Sequence, residues 1–473
     1  MRAPVLALLL AASCTFGCPS ARENGGPERP NVVLIVLDTV RADMLSAYGY
    51  SKPTTPNLER IAREGTRFER AFATDFWTLP SHASLLTGLY PSEHHANSET
   101  LRLTGDASTL AENLSEVGFR TAAWVGNPWL SIRHGFGQGF QHYMEMWHHP
   151  ASHPGDFSAD RQAVREASSW IAQRATGDAP FFLFMNLNTA HLPYSPTPAA
   201  LLDLTPEFRP IDRTARLKKV TGTWQHLTGN LDLDDLDYQI LKELYEAELL
   251  MVDGLVGSVI AALETAGVLD ETLLIITSDH GENIGDHGMI DHMLSMFETT
   301  IRIPLIVRHP AHFPPGHVNT DLVSQVDVFP TVLEIAQVEP AVSLPHARSL
   351  VGSPRESEVF VIAENERPLN GIEVLRNAYP DFDATRIDRR IRMLRTASHK
   401  LVWHEDQNVE LYDLERDPGE QHDIARENEG LRDELLGRLE AWMAAHETHS
   451  KPPAFGSPDP DAIEALRALG YIE

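Results

Sequence analysis

Four side chains that can bind a divalent cation follow apolar segments of strand length. One segment, residues 273–277, leads through Ser278 to Asp279 and His280, and another, residues 32–37, ends at Asp38. A third, residues 181–187, leads to His191. Ligand sites of open α/β sheets lie at the carboxyl ends of the strands, so we expect these side chains to meet there. A carboxylate beside an imidazole can bind one divalent cation, although a solvated turn is the alternative interpretation of Asp279-His280 alone.

A hydroxyl group in the same region could act as a nucleophile. Pro80 suits the first turn of a helix and Gly88 suits its end, which places Thr78 at the helix start. The free N–H groups and the dipole at this end favour an anion. Beside a divalent cation, the Thr78 hydroxyl could ionise and attack a substrate. The alternative role of Thr78 is that of a helix N-cap alone.

Helical and strand patterns alternate up to about residue 340. Helices are predicted at residues 55–64, 110–117, 159–173 and 235–265, and further strands at 121–125 and 303–307. This alternation predicts an α/β fold with a large, mainly parallel sheet covered by helices on both faces.

The pattern changes after residue 340. Short strands at residues 359–363, 391–396, 400–403 and 409–412 indicate an antiparallel meander. An amphipathic helix follows, with Leu431, Leu435, Leu439 and Trp442 on one face. We therefore predict a large domain over residues 31–340 and a smaller C-terminal α+β subdomain over 341–473.

The N-terminus has the features of a secretory signal. Met1-Arg2 precedes an apolar run at residues 5–12, which is too short to span a bilayer. Residues 10–14 (LAASC) are similar to a lipoprotein processing site at Cys14, and Cys18 is a second candidate; a plain cleaved signal is the alternative. We predict a signal segment at 1–18 and a flexible linker at 19–30. The expected location is the periplasm or cell envelope, with a lipid tether at Cys14 or Cys18, or the extracellular space.

Composition limits the partners. The 473 residues carry a net charge of −28, and 42% of them are hydrophobic, which permits a sizeable core. Binding to a phosphate backbone needs clustered Lys and Arg, so this charge disfavours nucleic acid as a partner. A cation-loaded site can still bind an anionic substrate inside an acidic protein.

Several stretches together resemble the sulfatases of the alkaline phosphatase superfamily. The sulfatase motif Cys/Ser-x-Pro-Ser-Arg-x-x-x-x-Thr-Gly matches residues 78–88 (TLPSHASLLTG) in spacing. Further matching stretches are residues 38–43 (DTVRAD), 56–58 (PNL), 191–194 (HLPY), 278–282 (SDHGE), 285–288 (GDHG), 302–308 (RIPLIVR), 411–414 (LYDL) and 417–418 (DP). The resemblance covers about residue 31 to the C-terminus and implies an alkaline phosphatase-like fold.

The chain departs from the sulfatase pattern at four positions. Thr78 replaces the Cys or Ser that becomes formylglycine, so no formylglycine is expected. His82 replaces the Arg of the same motif, and Thr39 replaces the second Asp of a pair that many sulfatases carry. His292 is the best candidate for the place of the usual Lys.

The remaining residues are similar to the single-metal site of threonine-nucleophile phosphotransferases and phosphodiesterases in the superfamily. This resemblance implies one divalent ion (calcium, zinc or manganese) with Asp38, Thr78, Asp279 and His280 as its ligands. Two-zinc members need an additional Asp-x-x-x-His motif, whose first ligand is missing at residues 188–191. The implied catalytic residues are Thr78, His82, His191 and His292, with His191 and His292 also binding ester oxygens.

The sequence therefore predicts a metal-dependent hydrolase that cleaves a sulfuric or phosphoric ester through Thr78. The expected substrate is a small-molecule, glycan or lipid ester. Two alternatives remain: a phosphotransferase or phosphodiesterase acting on an envelope headgroup, and a non-catalytic sulfatase-like binding protein. The other histidines of polar loops are interpreted as mostly solvated: His94, His95, His148, His149 and His153.

Overall fold

The structure is a computed structural model that describes residues 29–149, 157–175, 177, 179–208, 212–220, 223–292, 294–352, 360–446 and 463–469. The predicted signal segment, both cysteines and nearly all of the linker lie outside these residues. Among the helices of the described ranges, none combines the length and the apolar character needed to cross a membrane.

The strands of the described residues form a large sheet, a smaller sheet and a two-stranded ribbon. The large sheet has the order β10-β2-β9-β6-β1-β5-β3-β4, and only β9 pairs antiparallel with its neighbours. In chain order the strands are β1 (Asn31–Leu37), β2 (Thr66–Phe72), β3 (Arg120–Val125), β4 (His142–Glu145), β5 (Phe181–Leu187), β6 (Thr272–Thr277), β7 (Asn283–Ile284), β8 (Ile290–Asp291), β9 (Arg302–Arg308), β10 (His317–Ser324), β11 (Val361–Asn365), β12 (Ile391–Arg395), β13 (His399–His404) and β14 (Val409–Asp413).

Helices cover both faces of the large sheet. The α-helices of the described residues are α1 (Pro56–Glu64), α2 (Thr78–Thr87), α3 (Pro91–His94), α4 (Leu110–Glu116), α5 (Phe157–Arg174), α6 (Pro198–Leu204), α7 (Asp212–Leu217), α8 (Thr223–Leu227), α9 (Asp235–Thr265), α10 (Glu298–Ile301), α11 (Val328–Ile335), α12 (Leu369–Ala378), α13 (Glu429–His446) and α14 (Ile463–Ala468).

Strand β1 lies at the centre of this architecture because its side chains are apolar on both faces. Val32, Leu34 and Val36 join the core with α2, α4 and α11, whereas the alternate residues join the core with α5 and α9. A strand that is buried on both sides needs such a continuous apolar sequence. The prediction of an α/β fold with a mainly parallel, helix-covered sheet is therefore confirmed.

The C-terminal region contains the predicted antiparallel sheet, in the order β11-β12-β13-β14. Leu435, Leu439 and Trp442 of α13 are buried in a core with side chains of this sheet. The boundary placed at residue 340 stays a prediction. One interpretation was wrong: His94 is not solvated but buried in α3, with its Nε2 atom 3.0 Å from the Ser84 hydroxyl.

A close backbone approach fixes the chain just after β6. The N–H of Gly281 donates to the carbonyl of Thr300 at 2.6 Å, and that of Glu282 donates to the carbonyl of Thr299 at 3.0 Å. A Cβ atom at Gly281 would lie 2.0 Å from the Thr299 oxygen, which no real contact permits. Gly281 is therefore required for the position of the preceding residues, Asp279 and His280.

We expect Gly281→Ala to destabilise the protein by roughly 1–3 kcal/mol, because the backbone must shift to accept the methyl group. The measurement is chemical denaturation. Gly254→Ala is the matched control: a Cβ at Gly254, within α9, meets nothing within 4 Å, so this variant should be as stable as the wild type or slightly more stable. Equal stability of the two variants would contradict the assignment.

Candidate functional site

The predicted cation-binding side chains meet at the carboxyl end of the central strands. β1 and β6 pair in parallel, so Asp38 and Asp279 follow adjacent strand ends. Ligand atoms of Asp38, Asp279 and His280 lie within 4.8 Å of one another, and all three residues are fully buried. The structure thus brings these residues together as the sequence predicted.

Thr78 is the first residue of α2 and faces this cluster. Its Oγ1 atom lies 3.4 Å from Nε2 of His280. The side-chain amide of Asn127 donates to the same Oγ1 at 3.3 Å. The hydroxyl is therefore held at a helix N-terminus and beside the buried carboxylates.

Two asparagines that the sequence analysis did not single out orient Asp38. Asn127 and Asn186 donate to its Oδ2 at 3.1 and 2.9 Å. Asn186 lies within β5, where it interrupts an apolar strand, and this break in the pattern was the available signal. Asn127 follows β3 in a loop, where nothing in the sequence marks it.

His82 and His280 flank Asp279. The Oδ2 atom of Asp279 lies 3.5 Å from Nδ1 of His82 and 3.3 Å from Nε2 of His280. Nδ1 of His280 is 3.0 Å from the Gly281 carbonyl and donates to it, which leaves Nε2 as the nitrogen with a lone pair. Metal-binding histidines are commonly oriented by such a bond.

The electrostatics of the site favour a bound cation. Burial, and then the charge of Asp279, raises the pKa of Asp38 to about 7, and burial also raises the pKa of Asp279. Burial lowers the pKa of His280 well below its usual range, so its imidazole is neutral. Among the described residues, Oδ1 of Asp38 and Oδ2 of Asp279 have no hydrogen-bond donor. Two buried carboxylates with free oxygens and a neutral imidazole fit a divalent ion.

His191 and His292 lie next to this cluster. The ring of His292 is 4.4 Å from the ring of His280 and 5.2 Å from that of His191, between centroids. Nδ1 of His191 donates to the Leu192 carbonyl at 2.7 Å. Both rings are buried. All the predicted site residues therefore belong to one constellation.

The sequence analysis did not single out two acidic residues that lie beside His292. Nδ1 of His292 is 2.8 Å from Asp291 and 3.9 Å from Glu282. Burial opposes a charge on His292, but Asp291 and Glu282 together raise its pKa well above the usual value. The sequence signal was a third Asp-His pair, at residues 291–292, which follows the pairs at 279–280 and 286–287.

Comparison with known proteins identifies the family. The sulfatase family model matches residues 30–338, and the model for the C-terminal region of N-sulphoglucosamine sulphohydrolase matches residues 285–445. The chain therefore belongs to the sulfatase family, within the alkaline phosphatase superfamily, whose members are metal-dependent ester hydrolases.

Two bacterial sulfatases are among the relatives of this chain. The chain is 27% identical to the N-acetylglucosamine-6-O-sulfatase of Bacteroides thetaiotaomicron over 546 aligned positions, which cover 98% of this chain and 93% of the relative. It is 22% identical to the ulvan-active sulfatase of Formosa agariphila, over 91% of this chain and 84% of the relative.

Solved structures share the fold. One, in complex with its substrate D-glucosamine-2-N,6-O-disulfate, superposes with a TM-score of 0.72 at 23% identity and covers 90% of this chain and 99% of its own. The phosphonate monoester hydrolase of Agrobacterium radiobacter superposes with a TM-score of 0.71 at 23% identity and covers 88% of this chain and 96% of its own.

We expect Asn127→Ser to lower divalent-metal affinity about 10- to 100-fold, because a donor that orients Asp38 is lost. Serine can still cap the turn at Pro128–Leu130, which the Asn127 side chain caps by accepting from the Trp129 N–H. Isothermal titration with Mn²⁺ measures the affinity. Asn113→Ser, at a buried asparagine of α4, is the control and should bind as the wild type does. An unchanged affinity in Asn127→Ser would exclude this positioning role.

Proposed function

We propose that this protein is a metal-dependent hydrolase that cleaves a sulfuric or phosphoric ester with Thr78 as the nucleophile. The observation that carries the proposal is the position of the Thr78 hydroxyl at the start of α2, 3.4 Å from His280 and within reach of the same Asn127 amide as Asp38. A threonine that served only as an N-cap would not need two buried carboxylates with free oxygens beside it.

Four residues would hold one divalent ion: Asp38, Thr78, Asp279 and His280. When bound, such an ion acts as a Lewis acid that lowers the pKa of a hydroxyl and polarises the ester. Three of the four side chains can contribute oxygen and one contributes nitrogen, a set that suits manganese or zinc as well as calcium.

The reaction would proceed by two displacements. The deprotonated Thr78 oxygen forms a bond to phosphorus or sulfur while the bond to the leaving oxygen breaks. The leaving oxygen takes up one proton, so this step consumes a proton. His292 is the proposed donor of that proton, and His191 and His292 bind the ester oxygens. Water then attacks the same centre, gives a proton to the now neutral His292 and displaces the Thr78 oxygen, so the two displacements together restore both the proton and the nucleophile.

A threonine nucleophile releases its product differently from formylglycine, and this difference bears on which ester is cleaved. Formylglycine hydrates can expel sulfate by collapse to an aldehyde, whereas an ester of Thr78 needs a second attack on the central atom. This requirement favours a phosphate or phosphodiester. The names of the relatives instead favour a sulfated glycan, which remains the other substrate class of the proposal.

The proposed location is outside the cytoplasm, in the periplasm or cell envelope or in the extracellular space. Support comes from the signal-like sequence at residues 1–18 and from Cys14 and Cys18, either of which could carry a lipid. Glycan and lipid esters of the envelope would be accessible to an enzyme at this location.

The decisive experiment compares turnover of an aryl sulfate, an aryl phosphate and an aryl phosphodiester by purified protein with zinc, manganese or calcium. We expect cleavage of one ester class, and a loss on the order of 10⁴-fold in Thr78→Ala, because the nucleophile is removed. Thr78→Ser is the matched control, since it keeps a hydroxyl.

The preferred ester distinguishes a sulfatase from a phosphoesterase. Cleavage that persists in Thr78→Ala would show that another group attacks. Absence of cleavage with every ester and every metal would reject the hydrolase and favour a transferase or a binding protein.

We further expect metal affinity at this site to fall as the pH drops below about 7. In the metal-free protein the pKa of Asp38 is raised to about 7, and a carboxyl must lose its proton to bind a metal. Above pH 7 the carboxylate is already formed, whereas each unit below lowers the affinity roughly tenfold for this one proton. Mn²⁺ titrations at pH 6 and pH 8, each in two buffers of different ionisation enthalpy, measure affinity and proton release together. Equal affinities at both values would contradict the prediction.

A further inference from the structure

A second cluster of metal-binding side chains lies where the C-terminal region meets the α2–α3 region. It consists of Glu93 in α3, His346 in the segment between α11 and β11, and His446 at the end of α13. Ligand atoms of the three residues lie within 4.8 Å of one another, and all three are half-buried. The cluster shares no residue with the candidate active site.

The two imidazoles face each other with their Nε2 atoms. These atoms are 2.5 Å apart. Nδ1 of His446 donates to the Trp442 carbonyl at 2.7 Å, so its Nε2 carries a lone pair. An imidazole whose other nitrogen is fixed by a backbone carbonyl is the usual form of a histidine that binds a metal. Burial, and then the proximity of His446, lowers the pKa of His346, which favours its neutral form.

Trp442 holds both rings in place. Its ring stacks on His446 at 3.9 Å between centroids and contacts the edge of His346 at 4.7 Å. The indole N–H of Trp442 donates to the buried Glu364 at 2.8 Å, and Glu364 also accepts from the backbone N–H of Ser92 at 2.9 Å. Hydrogen bonds through Glu364 therefore connect Trp442, which packs against both imidazoles, to α3.

Glu93 is oriented in the same framework. Its Oε2 atom accepts from the backbone N–H of Tyr90 at 2.8 Å, in the capping box of α3. This bond directs the carboxylate toward the imidazole pair. The pKa of Glu93 is raised by burial, a penalty that a nearby cation would relieve.

We propose that Glu93, His346 and His446 form a zinc site that fastens α13 to α3. Two histidines and one glutamate are an established zinc ligand set, with bonds of about 2.0–2.2 Å and a fourth position for water. Tetrahedral bonds of this length place two nitrogens about 3.3 Å apart, so the rings need to separate by less than about 1 Å. The three ligands come from segments far apart in the chain, and zinc bound to them would link these segments.

Zinc stoichiometry tests the proposal without reference to catalysis. Wild-type protein and His446→Gln are loaded with zinc, desalted and analysed by mass spectrometry of the metal. We expect the variant to hold one equivalent less than the wild type, whatever the candidate active site binds. His346→Gln should give the same loss. His422→Gln is the matched control, since this histidine is exposed in the same region, and it should lose none.

Two further readouts separate loss of the site from loss of the fold. Zinc should raise the melting temperature of the wild type and of His422→Gln by more than that of His446→Gln, in which only the candidate active site can still bind zinc. In the unmodified wild type, zinc should also slow hydrogen exchange of amides in α13. Failure of ester turnover would leave these results unaffected.

Equal zinc content in the wild type and in both histidine variants would overturn the proposal. The cluster would then be a pair of imidazoles that share a proton beside Trp442. If the variants lose zinc but zinc does not slow hydrogen exchange of the α13 amides in the wild type, the ion does not link α13 to α3.

Discussion

The candidate site depends on the burial of two carboxylates side by side. Asp38 and Asp279 are fully buried at adjacent strand ends, and the pKa of each is raised. Removal of an ionised carboxylate from water is unfavourable unless opposite charge or hydrogen-bond donors compensate for it. The surroundings supply part of this compensation: two asparagine amides on Asp38, and backbone N–H groups of Thr39 and His280 on Asp279. Within the part of the chain that the structure describes, Oδ1 of Asp38 and Oδ2 of Asp279 have no donor, and the proposed cation would satisfy both oxygens.

The sequence predicted the elements that have a regular hydrophobic pattern. Continuous apolar runs identify β1, β5 and β6, because strands buried on both faces need them, and the polar residues that follow then fall at one edge. The same logic does not find Asn127, in the loop after β3, or Asp291, at the end of the two-residue strand β8, because neither segment has a hydrophobic period. His94 was misassigned because its neighbours are polar, although its own ring packs inward.

The departures from the sulfatase motif alter the charge of the site. Arg and Lys carry fixed charges, whereas a histidine responds to its surroundings. Burial lowers the pKa of His82, which stands at the Arg position and packs between Asp279 and Asn186. His292, at the proposed Lys position, keeps a raised pKa because Asp291 and Glu282 surround it. Of these two replacements, only His292 therefore keeps a strong tendency to carry a positive charge.

The order of the strands also determines when the molecule can fold. Of the strands in the described residues, β1 is the first to be synthesised, yet its neighbours in the sheet are β5 and β6. Until residues 181–187 emerge, both backbone edges of β1 lack their native partners, and its apolar faces still lack α9 and α11. Contacts such as that between Thr39 and Asp279 span 240 residues and form late, since closure of long loops is slow. The nascent chain therefore carries β1 unpaired until residue 181 and paired at one edge only until residue 272, an exposed apolar strand of the kind that chaperones shield.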